Sequence, residues 1–209
     1  MKILAVSDET VDSIYQPAVK ARYGDVNLIV GCGDLHLSYL DFLTSALGKP
    51  LLYVRGNHDC GRHMAKRGEI TEVRGGRNIH RECVYERNLL IAGFEGSVRY
   101  KPHAGCMSTQ REMDRFVRLM APQFWWNQVR YGRMVDIIIT HAPPWGIHDD
   151  DDLPHHGFKA YLRLMRWFRP RYLLHGHIHR PNHHEPQITQ YHETTVINIF
   201  PSYVLDIPS

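Results

Sequence analysis

Gly56-Asn57-His58-Asp59, directly after the apolar run Leu51–Arg55, and Gly176-His177-Ile178-His179, directly after Tyr172–His175, decide how this chain is read. Both place a glycine and several proton- or metal-active side chains where a short buried strand should end. The same punctuation occurs three more times. Residues 2–7 (KILAVS) stop at Asp8, residues 26–31 (VNLIVG) stop before Gly33-Asp34, and residues 134–140 (MVDIIIT) stop at His141. Short continuous apolar runs of this kind predict strands buried on both faces. In α/β sheets the ligand crevice lies outside the carboxyl ends of the strands, so five strand ends aim at one predicted site. Carboxylates, an amide oxygen and imidazoles suit manganese, zinc or iron rather than a thiolate site.

The segments between these runs supply the helices. Val11 to Tyr23 carries Ile14, Ala18 and Val19 at helical spacing, and Leu37 to Leu47 reads as a second helix. Strand and helix thus alternate, which predicts an α/β fold. Cys83–Arg87 and Leu89–Gly93 flank Asn88 as a hairpin, making the sheet arrangement mixed. Thr109 to Met120 is helical by period, and Pro122 is expected to restart the helix, since proline suits a first turn. A further helix is expected over residues 157–168. The runs Gln187–Tyr191, Thr195–Ile199 and Tyr203–Ile207 read as an antiparallel finish.

At 209 residues, 43% hydrophobic and 22% charged, the chain is long enough to bury a large core without staples, and it reads as a single domain over 1–209. A formal charge of +3 is too small to imply a nucleic-acid or anionic-membrane partner. Fifteen histidines are present, and ten follow residue 140, a skew towards metal or proton chemistry. Cys32, Cys60, Cys83 and Cys106 show no C-x-x-C spacing and suit a reducing compartment, so the expected location is the cytoplasm. The first apolar stretch meets Asp8 too early for a signal peptide, and no later window approaches a membrane span.

The ordered blocks Asp8, Gly33-Asp34, Gly56-Asn57-His58-Asp59, His141 and Gly176-His177-x-His179 resemble the calcineurin-like metallophosphoesterases, whose blocks read D-x-H, G-D, G-N-H-D/E, H and G-H-x-H. The resemblance spans residues 3–199. It implies a four-layer α/β/β/α sandwich of two mixed β-sheets and two divalent ions, manganese first, with iron, zinc or nickel as alternatives. One ion would be held by Asp8, Asp34 and His179, the other by Asp34, Asn57, His141 and His177, with Asp34 as the bridge. In such a site the ions turn a bridging water into hydroxide, which attacks phosphorus in line. By the same resemblance His58 assists at the leaving group or a phosphoryl oxygen, and Asp59 orients it.

One block departs from the pattern. Where the family has histidine, this chain has Thr10, a poorer ligand, so the first ion should bind more weakly. Asp12 or His36 is placed to compensate if the loop turns back. Resemblance to bacterial members with a G-S-x-R-Y segment points to Arg99 as a phosphate contact, and in the same subgroup the segment holding His156 faces the cleft. The implied function is hydrolysis of a small phosphoester or nucleotide, with phosphodiesters favoured by analogy to compact bacterial-type members. The alternative is a weakened metal-binding or scaffold member of the same fold. A nuclease is disfavoured by the absence of a basic stripe.

Other residues admit plainer readings. His175 shares the face of His177 in an extended run and is read as packed in the sheet rather than as a ligand. Asp149–Asp152 is read as a solvated loop tip. Phe124, Trp125 and Trp126 are read as core rather than as a platform for a nucleobase. Trp145 is a candidate for lining the cleft, and Arg62 and His63 are candidates for positioning substrate. His183, His184 and His192 are read as surface.

Overall fold

A computed structural model describes residues 1–60, 63–65, 68–70, 72–102, 105–180 and 187–208. In chain order the elements are β1 (Lys2–Val6), α1 (Val19–Tyr23), β2 (Leu28–Cys32), α2 (Leu37–Leu47), β3 (Leu51–Val54), β4 (His63–Ala65), β5 (Gly68–Ile70) and β6 (Gly76–Asn78). There follow β7 (Cys83–Glu86), β8 (Leu89–Phe94), β9 (Ser97–Val98), β10 (Met107–Ser108), α3 (Gln110–Tyr131) and β11 (Ile137–Thr140). Helix α4 (Lys159–Phe168), β12 (Tyr172–His175), β13 (Gln187–Tyr191), β14 (Thr194–Asn198) and β15 (Ser202–Asp206) complete the series.

Two sheets carry the fold. One has the order β15-β1-β2-β3-β6, the other β13-β14-β12-β11-β8-β7. The inner strands are parallel, while β15, β13 and β7 pair antiparallel at the edges, so both sheets are mixed. Period-two alternation explains the uninterrupted apolar runs. Ile3 and Ala5 face the other sheet while Leu4 and Val6 face α1 and α2. Likewise Ile137 and Ile139 point between the sheets, and Ile138 points at the layer of α3 and α4. Every one of these side chains is fully buried. Three apolar interfaces therefore stack as helix, sheet, sheet, helix, the four-layer arrangement expected.

Four sequence expectations are corrected. The helix over Val11–Tyr23 shrinks to Val19–Tyr23, because Pro17 disfavours helical backbone at Gln16; the segment before it makes only a turn, with Ile14 and Tyr15 both donating to the Val11 carbonyl. Conversely, Pro122 does not restart a helix but lies inside an unbroken α3. An interior proline costs about 3 kcal/mol. Burial of Met113, Val117, Met120 and Phe124 along one face, at about 1.5–3 kcal/mol each, outweighs it. A Thr109–Glu112 capping box fixes the helix start. Of the three aromatics at 124–126 only Phe124 is core; adjacent helical positions lie about 100° apart, and both tryptophans face solvent. The C-terminal runs do not form one antiparallel unit either. β13 pairs antiparallel with β14, but β14 lies parallel to β12 and β15 crosses to the other sheet.

A disulfide joins Cys60 to Cys106, whose Cα atoms are 5.7 Å apart, which the cysteine spacing gave no sign of. Cys32 and Cys83 are buried thiols. No helix among the described residues is long and apolar enough to cross a membrane.

Two partly buried histidines add acid sensitivity to the fold. Burial, reinforced by Arg81, pushes His80 down to about 4, and burial with Arg180 nearby does the same to His148. Their imidazoles are neutral when folded but take a proton near pH 6.5 when unfolded. Their contribution to stability is therefore whole above pH 6.5 and falls as pH drops towards 4, by less than the limit of about 1.4 kcal/mol per pH unit and histidine because both rings are partly screened by solvent. Thermal melting across pH 4–7.5 should show the loss, and a His80→Phe, His148→Gln variant should flatten its slope.

Candidate metal centre

The strand ends meet as closely as backbone allows. After β1, Asp8 takes a left-handed backbone (φ 65°) and its N–H donates to the Gly33 carbonyl at 3.0 Å. After β2, Gly33 (φ 91°) and Asp34 (φ 53°) turn the chain, and after β12 so does His177 (φ 69°). Three non-glycine residues with positive φ at the carboxyl ends of strands in the two sheets mark stored backbone strain. A Cβ on Gly33 would sit 2.5 Å from the Gly56 nitrogen and 2.6 Å from His141 Nδ1. One on Gly56 would overlap the Asp34 carboxylate, and one on Gly176 would overlap Ser7 Oγ and Asp8 Oδ2. Only glycine fits these three positions.

The side chains then converge. His141 Nδ1–H donates to the Cys32 carbonyl at 2.9 Å, leaving Nε2 3.0 Å from Asn57 Oδ1 and 3.2 Å from Asp34 Oδ2. His177 Nε2–H donates to the Pro154 carbonyl at 2.8 Å, which frees Nδ1. Asn57 Nδ2 reaches the Tyr100 hydroxyl at 3.4 Å, turning the amide oxygen inward. Ligand atoms of Asp34, His141 and His177 all lie within 4.8 Å of one another. Beside them, the Asp8 carboxylate accepts the His177 backbone N–H and the Ser7 hydroxyl, and lies 3.3 Å from His179 Nε2.

The sequence profile described as calcineurin-like phosphoesterase matches residues 4–181. The chain belongs to that family. Among solved structures, one crystal structure aligns over 98% of this chain and 94% of its own, with a TM-score of 0.65 at 15% identity. The crystal structure of TT1561 of Thermus thermophilus aligns over 95% of this chain and 88% of its own, with a TM-score of 0.63 at 16% identity. These likenesses concern the fold. No curated protein matches the chain in sequence.

Metal-dependent phosphoester hydrolysis is the chemistry of calcineurin-like phosphoesterases, and the donor set here fits a cation. Oxygen of Asp34, oxygen of Asn57 and Nε2 of His141 face one another, and when His141 is neutral all three are acceptors, an arrangement that either a proton on Nε2 or a bound cation relieves. The electrostatics agree. Burial alone would lower the His141 imidazole, but Asp34 and Asp8 outweigh it and hold it at about 9. Burial would raise Asp34, yet His141 and the His58 N–H bring it to about 2. Burial and the neighbouring His141 keep His177 neutral, at about 4. Backbone carbonyls fix the ring orientations of both histidines, as partners behind metal ligands do.

The remaining residues read from the sequence are placed as follows. Asp8, Thr10, Asp34, His36, His58 and Asp59 border one pocket of about 390 Å³. Asp12 is exposed and is not among the residues bordering it. The His58 N–H donates to Asp34 Oδ1 at 2.7 Å. Asp59, buried and raised to about 6 by burial and by Asp34, accepts the Gly56 N–H and closes the loop on itself. Arg99 bonds the Met107 carbonyl and Glu112, and His156 bonds the Asp151 carbonyl. Trp145 lies against His156 and under the Lys159 ammonium. Arg62, His183 and His184 lie outside the described residues, and His63 belongs to the short strand β4.

Two contributors left no mark in the sequence reading. The Cys32 and Pro154 carbonyls are backbone groups, which carry no side-chain signature. The aspartate run is structured, with Asp149 accepting the Gly157 N–H and Asp152 paired with His155, whose ring lies 5.1 Å from that of His177. His175 is fully buried and heads a directed chain. Its Nδ1–H donates to the Gly176 carbonyl, His148 Nδ1–H donates to its Nε2 at 2.9 Å, and the Thr189 hydroxyl donates to His148 Nε2 at 2.8 Å.

Gly176→Ala tests the close approach. Its Cβ must displace Ser7 or Asp8, at a cost of about 1–3 kcal/mol. The expected result is a lowered Tm and weaker divalent-cation binding by calorimetry; an unchanged Tm would mean that the strand ends are not tightly packed.

Proposed function

We propose that the chain is a phosphodiesterase that uses two divalent ions, manganese foremost, with His58 assisting departure of the leaving group. The observation that carries this reading is the inward-facing set of Asp34 Oδ2, Asn57 Oδ1 and His141 Nε2, with His177 beside it. These four residues would hold one ion; Asp8, Asp34 and His179 would hold the other. Ions bound there supply charge neutralisation for the phosphoryl group and lower the pKa of a coordinated water.

The chain's own residues do the rest. Asp34 is fixed from two sides, by the His58 N–H and by His141, so its carboxylate is preorganised to serve both positions. His58 projects into the same pocket as Asp8 and Thr10, where its imidazole can give a proton to the departing alkoxide. Asp59 acts on backbone, closing the loop that presents Asn57 and His58. Thr10 borders the pocket next to Asp8 where the family has a histidine, which supports weaker holding of the first ion.

The test is hydrolysis of a chromogenic phosphodiester and its monoester by metal-stripped protein titrated with manganese. We expect no turnover without metal, saturable turnover with it, a preference for the diester, and losses of about 10²-fold or more in His58→Ala. Asn57→Ala should also lose activity, with a higher manganese requirement. A monoester preference would overturn the diester assignment. Absence of turnover on either ester at every manganese concentration would favour the binding or scaffold alternative.

A further inference from the structure

The solvent face of α3 is both aromatic and cationic. At about 100° per residue, Trp125, Arg118, Val129, Arg111, Pro122, Arg115, Trp126, Leu119 and Arg130 occupy one arc of about 140°, opposite the buried Met113, Val117, Met120 and Phe124. The apolar members stand well clear of the protein: Trp125 is 60% exposed, Trp126 66% and Val129 81%. Burying them elsewhere would recover free energy that the folded chain leaves unused.

The charges on this face are of one sign. Glu112, at its edge, is tied to Thr109 and Arg99. Asp114, just beyond the other edge, is held by Arg118 and Arg163. Arg111 and Arg115 meet no carboxylate among the described residues, and Arg130 lies against the Tyr131 ring. On α4, Trp167 is half-exposed beside Arg118, and Arg166 is exposed next to it in sequence. The formal charge of +3 for the whole chain conceals this local excess, and the expectation that the chain has no basic stripe is corrected here: Arg111, Arg115, Arg118 and Arg130 lie apart in sequence and align only on the helix.

We propose that this face of α3 docks on an anionic phospholipid bilayer, with the helix lying in the interface. Interleaved tryptophan and arginine on one helical face match the two parts of a lipid surface: indoles settle at the headgroup level while guanidinium groups pair with phosphates. The aliphatic Leu119, Val129 and Pro122 favour lipid over nucleic acid, since they have no flat face for a base to stack on and can enter the acyl boundary. The binding would be peripheral and reversible.

The test is co-sedimentation of the full chain with phosphatidylcholine vesicles made with and without phosphatidylglycerol, together with tryptophan emission. We expect binding to the anionic vesicles alone, reversal by salt, and a blue shift on binding. A Trp125→Ala, Trp126→Ala variant should abolish the shift and weaken binding at least about tenfold. An Arg111→Gln, Arg115→Gln variant should weaken it roughly fivefold per arginine. Both should keep the parental Tm, so a loss of binding is not a loss of fold. Binding left unchanged in these variants, or no binding to either vesicle, would overturn the proposal. So would a dimer in sedimentation equilibrium that the tryptophan variant dissociates, or single-stranded DNA binding that exceeds vesicle binding.

Discussion

Close approach of backbone where the carboxyl ends of strands from both sheets meet is the constraint on which the rest of this structure depends. Gly33, Gly56 and Gly176 each occupy a place where a Cβ would strike the next strand's turn or a site carboxylate. Because these turns touch, Asp8 and Asp34 from one sheet come within reach of His141, His177 and His179 from the other. The left-handed backbone of Asp8, Asp34 and His177 belongs to the same constraint. Such strain persists only where the surroundings over-determine it, and here each of the three is pinned by bonds from a neighbouring strand end.

The polar groups gathered there are unusual in what they lack. Asp34 and Asn57 turn oxygens towards Nε2 of His141 with no other side-chain donor among the described residues between them, and the raised pKa of His141 places a proton, and its positive charge, at that nitrogen. The rings are aimed by backbone carbonyls on different elements, Cys32 at the end of β2 and Pro154 in the loop before α4. A substitution at the end of β2 or in the loop before α4 would therefore act on the site without touching a side chain that faces it.

How much could be read beforehand varies with the physics involved. Strands buried on both faces announce themselves as apolar runs, and the residues after them were visible because glycine and charged groups interrupt those runs abruptly. Helix limits were less legible, since they depend on packing: Pro122 is tolerated because Met120 and Phe124 continue the same buried face, and Trp125 and Trp126 are exposed because Phe124 has taken it. β15 could not be assigned to a sheet from its own composition, because its partner β1 lies at the other end of the chain. The contacts of Arg99 with Glu112, and of Asp59 with the Gly56 N–H, depend on loop geometry that spacing alone does not determine.

The interface between the two sheets is almost entirely aliphatic, built from side chains such as Ile3, Val30, Ile91, Ile139 and Leu174. Such contacts reward area and have little directional preference, so by themselves they would allow one sheet to slide or rotate on the other. Directional bonds across that interface cluster at one end: His141 to the Cys32 carbonyl and to Asp34, and the His177 N–H to Asp8. The constellation that gathers ligands thus also serves as the alignment key of the sandwich, and the chain cannot shift its sheets to a new register without dismantling its own site.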